Sequence, residues 1–220
     1  MVLRPIKSST LQDSVYKQLV RAIIKGKIVP GERITMDGLA KQLQVSIMPV
    51  REAIRRLEAG GFLTIKNRRI LVNELSEKNV HEILETRILL EGYVAEKASI
   101  RRSPKTLERL DELMQKMQQT EDLEIYLKTN REFHTTIYRE ARITVMLEII
   151  NSLWERYSPY FHMLNDIDWN SPEFVETHKG MFEGMTKKDP KGVRRWLERD
   201  LTNAADLIVA ILEQEKKSNG

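Results

Sequence analysis

The sequence predicts a mainly α protein of two domains: a small basic one of three helices with a two-stranded hairpin, then an antiparallel bundle of about six helices. Three observations predict this. Apolar residues recur at helical spacing along most of the 220 residues, and one pair of short runs reads as strands. Charge is uneven: residues 1–75 hold 14 Lys+Arg against 6 Asp+Glu, and residues 76–220 hold 22 against 26. Downstream, three helix starts share a capping side chain followed by proline, at Ser103-Pro104, Ser171-Pro172 and Asp189-Pro190. The expected domains are residues 8–74 and 75–216.

Composition narrows the function. The chain has no cysteine, which excludes disulfides, thiolate metal sites and cysteine nucleophiles. No apolar run approaches the roughly 18 to 20 residues of a membrane span, and the N-terminus lacks a signal-peptide pattern. A cytoplasmic protein without membrane contact is expected. The basic first third suggests a domain that binds a polyanion.

Within that third, Thr10 to Ile24 reads as a helix with Leu11, Val15, Leu19, Ala22 and Ile23 on one face, ended by Gly26. Pro30-Gly31 makes a turn, and Thr35 caps a short second helix carrying Leu39, Ala40 and Leu43. After Gln44-Val45 a third helix begins at Ser46, with Pro49 in its first turn and Val50, Ile54 and Leu57 as its buried stripe. Met48, Arg51 and Arg55 then face outward. Two short helices joined by a tight turn give a helix-turn-helix. Phe62 to Ile65 and Ile70 to Val72 flank Lys66-Asn67-Arg68-Arg69, a hairpin with a basic tip that reads as a wing. The third helix would enter the major groove while Arg68 and Arg69 reach phosphates or the minor groove.

The runs Gly26 to Ile34, Leu39 to Ser46 and Pro49 to Leu57 resemble the winged-helix domain of GntR-family transcription regulators, over about residues 10–73. The resemblance implies double-stranded operator DNA as partner, contacted by Thr35, Ser46, Ile47, Met48, Pro49, Arg51, Arg55, Asn67, Arg68 and Arg69. Where the family usually has Arg-Thr between the Ser and the Pro, this chain has Ile47-Met48. Arginine is the commonest reader of guanine. Ile47 and Met48 are expected to contact thymine methyl groups instead.

In the bundle, polar residues interrupt apolar stripes. Arg87 sits among Val80, Ile83, Leu84, Leu90 and Val94. Asn130 and His134 lie one turn apart beside Phe133 and Ile137; His178 lies beside Phe174 and Met181, and Asp200 beside Leu197 and Leu201. Five buried polar groups on four helices either satisfy one another or enclose a ligand or metal. Two His, one Asp and an Asn amide oxygen can furnish four ligands for Zn²⁺, Ni²⁺ or Mn²⁺. Arg87 suits a carboxylate through its planar fork, or else a buried ion pair with an acid such as Glu91.

Arg87 to Glu91, Phe133-His134, His178 to Met181 and the Asp189-Pro190 helix resemble the FadR-type effector domain, FCD. That resemblance implies a metal set at Asn130, His134, His178 and Asp200, with Asn130 standing for the family's Asp and Asp200 for its last His. It also implies Arg87 facing the cavity and a small organic acid, a sugar acid or a dicarboxylate, as effector. The expected function is a ligand-responsive regulator, a homodimeric repressor rather than an enzyme. Two other readings remain open: a metal-dependent hydrolase using His134, His178 and Asp200, and an architectural DNA-binding dimer with a fully interlocked polar core.

Overall fold

The structure, a computed structural model, describes residues 9–24, 27–28, 33–66, 69–73, 76–161, 164, 167–169 and 171–218. The chain divides into two compact units, residues 1–75 with 155–163 and residues 76–154 with 164–220.

In the first unit, α1 (Ser9–Ile24) buries Val15, Leu19, Val20 and Ile23. The short strand β1 (Arg33–Ile34) precedes α2 (Met36–Leu43), which Thr35 caps by accepting the Gly38 N–H at 3.1 Å. Gln44, at φ 52°, turns the chain toward α3 (Ile47–Ala59). The third helix thus starts one residue later than expected: Ser46 is its N-cap, and its hydroxyl makes no capping bond. α3 buries Pro49, Val50, Ala53, Ile54 and Leu57. Gly61 follows at φ 77°, where an L side chain would be strained.

The hairpin strands are β2 (Leu63–Lys66) and β3 (Arg69–Val72), in register Leu63↔Val72 to Lys66↔Arg69. β1 joins them through Arg33↔Leu71 and Ile34↔Ile70, so the sheet has three antiparallel strands in the order β1-β3-β2. The expected two-stranded hairpin is present, and β1 adds a third strand to it. Two residues are too few to show alternation, and only the burial of Ile34 marks the strand. The expected turns at Gly26 and Pro30-Gly31, and Glu74-Leu75, lie outside the described residues.

Downstream come α4 (Glu77–Arg101), α5 (Pro104–Gln118), α6 (Leu123–Glu140), α7 (Thr144–Phe161), α8 (Pro172–Lys187) and α9 (Pro190–Ser218). Four of these starts are satisfied by side chains: Ser76 accepts from the Asn79 N–H, Ser103 from Thr106, Asp122 from Ile125, and Asp189 from Gly192, whereas the expected cap Ser171 makes no side-chain bond at the start of α8. α9 takes in the polar stretch after Gln214 and continues to Ser218. Once a long helix is nucleated, each further residue adds a backbone bond at little cost.

Helix α4 packs on α6, α8 and α9, α8 also on α9 and α5, and α5 on α6. Val80, Val94, Leu110, Phe133, Ile137, Met181, Leu197 and Ile208 fill the core. Two glycines set the α8–α9 spacing. A Cβ on Gly180 would lie 2.2 Å from the Trp196 ring, and one on Gly184 would lie 2.8 Å from the Val193 backbone nitrogen. This close approach brings His178 of α8 against Asp200 of α9. Arg102 fastens the far end of α8, donating to the carbonyls of Met185 at 2.7 Å and Thr186 at 2.8 Å.

Candidate DNA interface and buried polar centre

On α3, Arg51 and Arg55 are exposed, and so are Ile47 at 39% and Met48 at 57%. Arg55 reaches Glu52 at 3.2 Å, a surface pair one turn away that a phosphate can displace. Arg56 is engaged inside the domain, where it donates to Asp13 at 2.6 Å and lies 3.9 Å over the Tyr16 ring, fastening α3 to α1. Arg69 is exposed at the start of β3. Of the remaining candidate DNA contacts, Pro49 is buried and Thr35 is occupied as a cap, while Ser46 is exposed with its hydroxyl unused in capping. Asn67 and Arg68 lie outside the described residues.

In the bundle, Arg87, Asn130, His134, His178 and Asp200 are all buried, between 1% and 8% exposed. Four of them converge. Ligand atoms of His134, His178 and Asp200 all lie within 4.8 Å of one another. Asn130 Oδ1 is 2.7 Å from His178 Nε2. Thr177 donates its hydroxyl to Asp200 Oδ1 at 2.7 Å, aiming the other carboxylate oxygen at His134 Nε2, 3.3 Å away.

A neighbouring bond settles the His134 tautomer. Tyr138 donates its hydroxyl to Glu91 Oε2 at 2.5 Å, so at the 3.1 Å contact with His134 Nδ1 the tyrosine oxygen accepts and the imidazole donates. His178 Nδ1 donates to the Phe174 carbonyl at 2.8 Å. The His134 ring therefore keeps an Nε2 lone pair on the side of Asp200, as metal-ligating imidazoles do when their other nitrogen is held by an acceptor, while His178 Nε2 faces the Asn130 side-chain amide at 2.7 Å. His134 Nε2 is buried and makes no hydrogen bond.

Charge agrees with this arrangement. Burial pushes the His178 imidazole below its ordinary value despite the pull of Asp200, which keeps the ring neutral and its lone pair available. Burial alone would raise the Asp200 carboxyl; the two imidazoles and the Thr177 hydroxyl outweigh it and hold the group well below the usual carboxylate range. The result is an ionised carboxylate beside two imidazoles, a donor set suited to a cation.

Arg87 stands apart from that point of convergence. Its fork is taken by Glu91, with Nε at 2.6 Å from Oε1 and one terminal nitrogen at 3.3 Å from Oε2, and its guanidinium lies 4.5 Å over the Trp154 ring. The ion-pair alternative describes its geometry, and its link to the cluster runs through Glu91 and Tyr138. Sequence reasoning missed Thr177 and Tyr138. Thr177 adjoins His178 in sequence, and Tyr138 follows His134 by one turn, a spacing that signals contact only when the hydroxyl is read as well as the ring.

Residues 11–70 match the gntR family of bacterial regulatory proteins, and residues 82–203 match the FCD domain. The chain is 32% identical over 196 residues to the HTH-type transcriptional regulator McbR of Escherichia coli K12, covering 86% of this chain and 88% of that one. The chain belongs to the GntR family. Its helical part is the FCD domain of the FadR-type branch. The Bacillus subtilis gluconate operon transcriptional repressor is 31% identical over 150 residues, 67% of this chain and 61% of that one. Among solved structures, that of E. coli McbR/YncC aligns with a TM-score of 0.67 and 29% identity over 94% of this chain and 99% of that one. This GntR-family protein is a DNA-binding, ligand-responsive transcription regulator and not an enzyme, which sets aside the hydrolase reading. Among the described residues, no helix is long and apolar enough to cross a membrane.

Proposed function

We propose that this regulator is a cytoplasmic homodimeric repressor that binds a two-fold operator and responds to a small carboxylic acid through a divalent metal in its helical domain. Residues 8–74 carry DNA binding and residues 75–216 carry effector binding and dimerisation. The observation that carries this reading is the buried cluster of His134, His178 and Asp200, whose ligand atoms all lie within 4.8 Å of one another, with the His134 Nε2 lone pair on the side of the carboxylate. An interlocked polar core of the architectural kind would leave no such atom as His134 Nε2 without a hydrogen bond.

The donor set suits Zn²⁺, Ni²⁺ or Mn²⁺: two imidazole nitrogens, one carboxylate and the Asn130 amide oxygen. The bound ion would supply the positive charge that draws a carboxylate into a water-poor core. The protein's own groups do the rest. Thr177 orients Asp200, Tyr138 and the Phe174 carbonyl hold the two rings, and Asn130 turns its oxygen toward a cation or its amide hydrogens toward His178. DNA release then requires the acid to prefer one arrangement of the two DNA-binding domains over the other. The gluconate operon repressors among the relatives support the repressor assignment.

Elemental analysis of the untagged protein tests the metal. About one equivalent per protomer, lost in His178→Ala, is the expected result; no metal after dialysis against Zn²⁺, Ni²⁺ and Mn²⁺ in turn defeats it. A gel shift on the protein's own upstream region at moderate salt tests repression, with small acids expected to release the DNA.

A further inference from the structure

We infer that the acid sensed by this centre carries a single carboxylate on an apolar, ring-sized body, and that the body enters through a slot between α5, α6 and α8. The inference rests on the proposed function, because it names the class of acid for the same centre. The slot is lined by Met114 and Met117 of α5, Tyr126 of α6, Trp169, and Phe174 of α8, and it ends on His178.

Its chemistry excludes two of the acid classes that the family resemblance suggests. A sugar acid brings several hydroxyls, each needing a partner once water is stripped away. The slot answers with rings and thioethers, and its further polar groups are the Gln118 amide, the Tyr126 hydroxyl and the Trp169 ring nitrogen. A dicarboxylate brings a second negative charge. Among the described residues, none lining the slot is charged, and the buried cation of the same domain, Arg87, is already paired with Glu91 at 2.6 Å.

An apolar body meets complementary surfaces instead. Trp169 stacks on Tyr126 with centroids 5.1 Å apart and an interplanar angle of 28°, and its ring also lies 5.1 Å from that of Phe174. These faces suit an aryl group or a short branched chain. The cavity volume of the slot is about 10 Å³, room for roughly one water. Entry therefore displaces side chains. Met114 and Met117 are the suitable ones, since an unbranched thioether moves by bond rotation and leaves the backbone in place.

The test is titration calorimetry and thermal unfolding of the full chain, with and without one equivalent of Zn²⁺, against benzoate, phenylacetate, hexanoate, gluconate and succinate. At least one of the first three should bind tenfold or more tightly than gluconate and succinate, and should raise Tm. Met117→Gln, close in volume but polar, should weaken that acid at least fivefold with metal content unchanged, while Met117→Leu should retain it. Tighter binding of gluconate or succinate would overturn the slot assignment and leave the acid-sensing centre standing. If none of the five binds, the acid-sensing reading and the slot fall together.

Discussion

Tyr138 donates its hydroxyl to Glu91 across 2.5 Å, and that bond places the ring hydrogen of His134 on Nδ1 and leaves Nε2 bare toward Asp200. Glu91 already accepts two bonds from Arg87, so the acid, base and phenol form one buried unit spanning α4 and α6. Burial and the Glu91 charge hold the phenol well above its ordinary value, which keeps it a donor toward Glu91 and an acceptor toward His134. The tautomer at the centre is thus set by a bond that spans 47 residues of sequence.

Tyr138→Phe removes this control while preserving the ring. His134 Nδ1 would lose its acceptor and Glu91 one of its donors, for a stability loss of about 1–3 kcal/mol by urea unfolding. Zn²⁺ affinity, measured by chelator competition, should fall about 10- to 100-fold, the usual effect of losing a group that orients a ligand. Unchanged Zn²⁺ affinity would mean that Tyr138 does not position the ring.

The metal-free protein should lose stability on the acid side of neutrality because of His178. Its folded pKa is depressed by burial, so as pH falls through the ordinary histidine value near 6.5 the unfolded chain takes up the proton first. Stability is full above that value and declines below it. The groups facing the ring are Asp200, His134, Asn130 and the Phe174 carbonyl. Asp200 acts in a lower window: its folded pKa is depressed, so its contribution is complete above about pH 4 and is lost as pH falls further. Urea unfolding at pH 7.5 and 5.5 should show a smaller stability drop in His178→Gln than in the wild type, and equal drops would refute the assignment.

The spacing of α8 and α9 gives a third prediction. In Gly184→Ala the new methyl would lie 2.8 Å from the Val193 backbone nitrogen and 2.6 Å from its Cγ2. A backbone atom cannot swing aside, so the helices must separate and carry His178 away from Asp200. We expect a loss of about 1–3 kcal/mol by thermal unfolding together with weaker Zn²⁺ binding. Gly92→Ala is the control: its closest neighbour is the Arg194 side chain at 3.3 Å, which can yield. Equal effects from the two substitutions would show that the α8–α9 approach does not hold the centre together.

These cases separate what the amino-acid order could reveal from what it could not. The starts of α5, α8 and α9 were legible because proline after a capping residue has one structural meaning. Asn130, His134, His178 and Asp200 were legible because a polar side chain on an apolar stripe demands a partner. Thr177 was not, since a threonine in a helix bonds the preceding turn as readily as anything else, and here it also reaches Phe174. Arg87 lay between these cases. Its i,i+4 relation to Glu91 was visible, but only the burial of both groups, at 1% and 0% exposure, shows the pair to be closed. Strand β1 was hidden because its partner β3 lies more than thirty residues further along the chain.

The last prediction concerns what α3 reads on DNA. Folding does not require Ile47 and Met48 to be apolar, since both are exposed, and exposed apolar residues at the start of a recognition helix face base edges once it docks. Among the four standard bases, the apolar group offered by the major groove is the thymine methyl. Arg51 and Arg55 can position the helix on phosphates without choosing a sequence. Sites selected from random duplex DNA should therefore carry thymine at the steps beneath the start of α3. Replacing each such thymine with deoxyuridine removes one methyl and should weaken binding about fourfold, the equivalent of about 0.8 kcal/mol for a buried methyl-sized group. Met48→Ala should abolish that difference at one of the steps. Guanine at the selected steps, or indifference to deoxyuridine, would show that this helix reads its operator by other groups.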